Sequence, residues 1–79
     1  MARVLVKKAA LESRTLDIVL YHLTHNEITP WVTWIMNIED KSTGSGHYHN
    51  TREEAMEEFY LRCRQQGAIE YTDRRPLRA

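Results

Sequence analysis

Seventy-nine residues make one small domain, 1–79, and a chain of this size buries only about 60% of the surface that its unfolded form exposes, so dimerisation would help its stability. An apolar fraction of 42% argues against disorder, while no apolar run approaches the roughly 20 residues of a membrane helix. Eleven basic and eleven acidic side chains cancel, which removes the strong overall field that would draw the protein to nucleic acid or an anionic membrane.

Cys63 stands alone and cannot form an internal disulfide, and the first residues lack the pattern of a signal peptide. A reducing cytoplasm is the expected location. The charge is nevertheless uneven: Arg3, Lys7, Lys8 and Arg14 oppose Glu12 near the start, and Arg74, Arg75 and Arg78 crowd the end. Basic ends flank an acidic middle.

In chain order, Val4, Leu5 and Val6 fit a short extra strand or the start of a helix running into Ala9, Ala10 and Leu11, the strand being preferred, so residues 1–14 form an N-terminal strand or a cover segment for the sheet. Leu16, Val19, Leu20 and Leu23 fit a helical stripe, but the β-branched and aromatic content of Ile18, Val19, Tyr21 and Thr24 favours a strand over 17–24. Asn26, Glu27 and Pro30 mark a connection. In Trp31 to Glu39 one parity carries Val32, Trp34, Met36 and Ile38 and is expected to face the core. Asp40 to Gly44 turn the chain, and His47, Tyr48 and His49 alternate in a third strand.

Thr51 followed by Glu54 is a capping box that opens a helix, Glu53 and Glu54 suit the positive end of its dipole, and Gly67 is a natural stop. Ala55, Met56, Phe59 and Cys63 share one arc of that helix, and Leu61 lies almost opposite Phe59. Ile69 is expected to fold back on the last turn. Residues 72–79 read as a loose basic tail. The predicted class is α+β: a three-stranded antiparallel meander packed on one face by a C-terminal helix, with 17–66 as the core.

The layout of residues 17–66 resembles the double-stranded-RNA-binding domain, a family that places lysines at the start of its last helix. That position here reads Thr51, Arg52, Glu53, Glu54, which repels a phosphate backbone.

No pattern calls for a cofactor or a catalytic centre: the serines and Cys63 lack a nucleophile elbow, and Thr43 to Gly46 is not a phosphate loop. No metal is expected; His47 and His49, about 7 Å apart on one strand face, are a workable pair of metal ligands that His22 and His25 could join if the register allows. If Val19, Tyr21, Leu23, Trp34 and Tyr48 point to the helix, then Ile18, Leu20, His22, Trp31, Thr33, Ile35, His47 and His49 form an outer face too apolar for water. Either the N-terminal segment or a partner must cover it.

The expected function is therefore a non-catalytic protein–protein interaction module, with a homodimer as the expected assembly, binding through the sheet face away from the helix. Trp31, Ile35, His47 and His49 are its candidate contacts, with Arg74 and Arg75 as secondary basic contacts. Two alternatives remain: a nucleic-acid module using the outer sheet face and the C-terminal arginines, and a small inhibitor or regulator of a larger machine, of the kind mobile elements encode.

Overall fold

The computed structural model describes residues 2–13 and 15–76. Six elements follow one another: β1 (Arg3–Ala10), β2 (Leu16–Leu23), β3 (Trp31–Asn37), β4 (Thr43–His49), α1 (Arg52–Gln66) and β5 (Ile69–Tyr71). The strands form one antiparallel sheet in the order β4-β3-β2-β1-β5, with the helix packed on it. The α+β class stands, but the sheet has five strands where a three-stranded meander with a short extra N-terminal strand was the most that was expected.

The two additional strands change what the ends of the chain do. Residues 3–10 do not lie across the sheet as a cover; they pair along β2 from Arg3 opposite Leu23 to Ala10 opposite Asp17, with an irregularity at Val6. Residues 69–71 pair with β1 on its other side, so Ile69 continues into a strand instead of folding back on the helix. Of the expected loose tail, Arg75 is held by side-chain and backbone partners, and Leu77, Arg78 and Ala79 lie outside the described residues.

Strand β2 explains its own ambiguity in sequence. It lies between β1 and β3 and is buried on both faces, so Ile18, Val19 and Leu20 are all inaccessible and the period-two alternation disappears.

The helix begins and ends on local chemistry. Thr51 is extended (φ −123°, ψ 155°), and its hydroxyl accepts from the Glu54 amide at 3.2 Å. Gly67 adopts the left-handed conformation (φ 68°) and its amide donates to the Cys63 carbonyl.

Which face the helix covers is the main correction. Ala55 and Phe59 form the buried core with Ala9, Ile18 and Leu20, and Trp31 and Ile35 pack against that cluster. The expected parity is therefore reversed: Val19, Tyr21, Val32 and Trp34 share the opposite face. Both parities are apolar, so hydropathy could not choose between them. Connectivity supplies the reason. Strands β4 and β5 run parallel at opposite edges, and a crossover joining parallel strands has a strongly preferred hand, which restricts the helix to one face.

Candidate interaction surface

The face away from the helix is organised around Trp34. Across the sheet Trp34 pairs with Val19, and Tyr21 and Tyr48 flank Val32 on either side. The Trp34 ring lies 5.7 Å from Tyr21 at 53° and 6.2 Å from Tyr48 at 88°. The Arg3 guanidinium sits 4.7 Å from the Tyr21 ring centre and 5.6 Å from that of Trp34, a cation–π arrangement on both rings.

Glycine at position 46 makes this packing possible. A methyl group there would come within 2.8 Å of Trp34 Nε1 and 2.9 Å of its Cδ1. The strand is also irregular at this point, with the register shifting between Thr33 and Ile35 and Ser45 at φ 53°. The bulge and the missing side chain together let the indole lie over β4.

Beyond Tyr48 the surface opens into a depression of about 800 Å³, lined by Leu23, Trp34, Tyr48 and residues 25–28. The loop that forms its wall is ordered by Asn26, whose side-chain Oδ1 accepts from the amides of Ile28 (3.1 Å) and Thr29 (2.9 Å). Ile28 stands 78% exposed at the tip of that loop and Tyr48 is 50% exposed. Leu5, opposite Tyr21 on β1, is a further exposed apolar residue on this face.

At the other end the same face is closed by the C-terminal segment. Asp17 is only 3% exposed, and its carboxylate accepts from the Tyr71 hydroxyl and from Arg75 Nε at 2.8 Å. Arg75 Nη2 also donates to the carbonyls of Leu16 (2.8 Å) and Leu11 (3.3 Å). Burial and the adjacent carboxylate both push the Tyr71 hydroxyl above its ordinary pKa. Lys8, also on this face, lies 4.7 Å from the Tyr71 ring centre.

The residues expected to bind a partner lie elsewhere. Trp31 stacks on His22 with centres 4.1 Å apart and packs beneath the helix with Ile35. His47 Nδ1 meets Glu58 Oε2 of the helix at 2.6 Å, and His49 Nε2 is buried without a hydrogen-bond partner among the described residues. Arg75 belongs to the Asp17 cluster, whereas Arg74 is exposed. Arg3, Tyr21, Trp34 and Tyr48 were missed because the parity was reversed. The closely spaced Gly44 and Gly46 beside an aromatic strand were the one sequence hint that a ring lies over the backbone.

The helix side holds two groups of chemical interest, both structural. Arg62, near the C-terminal end of α1, is buried and donates through Nη1 to Thr33 Oγ1 (3.0 Å) and to the Thr33 carbonyl (3.3 Å). Burial lowers its pKa, an effect that Glu58 opposes. Burial likewise pushes the Cys63 thiol up to about 11, aided by Glu70, so the nucleophilic thiolate is scarce at neutral pH. Among the described residues no three His, Cys, Asp or Glu side chains are grouped to hold a metal ion, and no helix is long and apolar enough to cross a membrane.

No family model matches this chain, and neither the curated proteins nor the solved structures include a significant match to it.

Proposed function

We propose that the chain is a non-catalytic protein-binding module working through the sheet face away from the helix. One observation carries this reading: Arg3, Tyr21, Trp34 and Tyr48 form a contiguous cluster beside an open apolar depression. Arginine, tyrosine and tryptophan are the residue types that dominate interface hot spots, and rings held by neighbours lose little entropy when a partner docks. A small regulator of a larger machine would use such a face in the same way.

Nucleic acid is the second reading, favoured by Arg3 and Lys8, which lie on this face over rings and without a carboxylate partner among the described residues. Acidic residues gather instead on the helix, as Glu53, Glu54, Glu57 and Glu58. Base stacking, however, needs free ring faces. Arg3 already occupies a face of both Tyr21 and Trp34, and Trp34 is edge-on to Tyr48, so this face suits apolar side chains better than a run of bases.

Crosslinked affinity capture from source cells, run in parallel with Tyr48→Ala, tests the reading. A protein retained by the wild type and lost by a folded Tyr48→Ala variant is the expected result. Binding of a mixed oligonucleotide that falls steeply between about 50 and 200 mM salt would favour the second reading instead.

A further inference from the structure

We infer that the partner is a second copy of this chain, the two sheets packing face to face about a two-fold axis beside Trp34 and Tyr48, so that Arg3 of each copy meets the partner's Glu27. The inference rests on the protein-binding reading above and names its partner.

Charge complementarity is the principal support. Arg3 and Glu27 both lie near Trp34, one over its ring and the other in the wall of the depression, and neither forms an ion pair among the described residues. A two-fold axis exchanges the two positions, so one cation and one anion at the same end of a face become two intermolecular pairs. Lys8 does not oppose this arrangement. It lies five residues along β1 from Arg3, roughly 15 Å away, and the axis carries the two Lys8 side chains to opposite ends of the assembly. The remaining carboxylate of the face, Asp17, is already neutralised by Arg75.

Ile28 and Tyr48, the two most exposed apolar groups around the depression, would enter the opposite subunit. Joining through the β4 edge is the competing geometry, and the bulge at Ser45 disfavours it, because a strand interrupted in this way does not extend a regular ladder.

Sedimentation of the full chain at neutral pH, from about 1 to 100 μM, tests the inference. The wild type is expected to dimerise, and Arg3→Glu or Glu27→Arg alone to weaken the dimer about tenfold or more, since each places like charges at both symmetry-related contacts. An equimolar mixture of the two single variants should recover dimer, because both contacts in the mixed species then pair opposite charges, and the mass of the heterodimer is distinct in a native spectrum. Glu27 lies on an exposed loop, so a folding defect cannot account for its effect. A wild type that stays monomeric, a dimer indifferent to Glu27→Arg, or a mixture that fails to dimerise although both variants keep the native circular dichroism overturns the inference. A monomeric wild type that still captures a protein through Tyr48 overturns self-association alone and leaves the protein-binding reading standing. Capture and dimerisation both unaffected by Tyr48→Ala overturn the reading as well.

Discussion

On the helix side of the sheet, Ile18, Leu20 and Thr33 are inaccessible because a separate element lies on them, with Phe59 and Ala55 at the contact. On the opposite side Val19 and Val32 are almost as completely hidden, yet no helix covers them; they lie between Tyr21, Trp34 and Tyr48 of the sheet itself. Closing a face with its own rings shields the small aliphatic residues but leaves part of each ring in water. The helix side is therefore a finished core, and the other side is a half-finished one that a partner can complete. The same contrast holds for charge. Arg62 on the helix side is spent on Thr33, while Arg3 on the outer side rests on rings, with no carboxylate among the described residues to hold it.

This difference is sharpest in the response to truncation. Phe59→Ala should cost about 4 kcal/mol in chemical denaturation, since it removes a fully buried ring from beneath the helix. Tyr48→Ala, which removes a ring that is half exposed, should cost less than about 1 kcal/mol while abolishing association. Equal losses of stability at the two positions would erase the distinction between the faces.

Next in size is the polar closure at the far end of the outer face. Asp17→Ala leaves Arg75 and Tyr71 without their shared acceptor and should destabilise by about 3 kcal/mol, again read by denaturation. An unchanged midpoint would mean that the C-terminal segment does not help to close the sheet.

Gly46→Ala probes the ring packing directly. The added methyl group must displace the Trp34 indole, and a loss of about 2 kcal/mol with a shifted tryptophan emission is expected. Wild-type emission and stability in that variant would show that the indole is not held against β4.

The smallest effect lies on the helix side and depends on pH. Cys63 titrates near 9 when unfolded and is pushed up to about 11 in the fold by burial, with Glu70 adding to the shift. A raised folded value means that the contribution is intact below about pH 9 and is lost as pH rises through about 11. Urea titrations across that window should show a decline that Cys63→Ala makes shallower.

Local chemistry was readable before any fold was known. The helix from Thr51 to Gly67 rests on contacts within four residues of one another, a hydroxyl on an amide at one end and a glycine in the left-handed region at the other, and these are written in consecutive letters. Strand β3 was legible from its alternation. Strand β5 was not, because three residues carry no period of their own and exist as a strand only through pairing with β1 more than fifty residues earlier. Arg75 was likewise placed in a loose tail, since its anchor is Asp17, 58 positions away.

Short windows of residues were enough to fix the class of the domain, the helix with its two caps, and the presence of two apolar faces on one sheet. The face that became the core was chosen by the fold as a whole. Period two offers both parities equally, and the choice depends on the path of the chain from β4 across the sheet to β5, a long-range property of handed connections that no local window of residues contains.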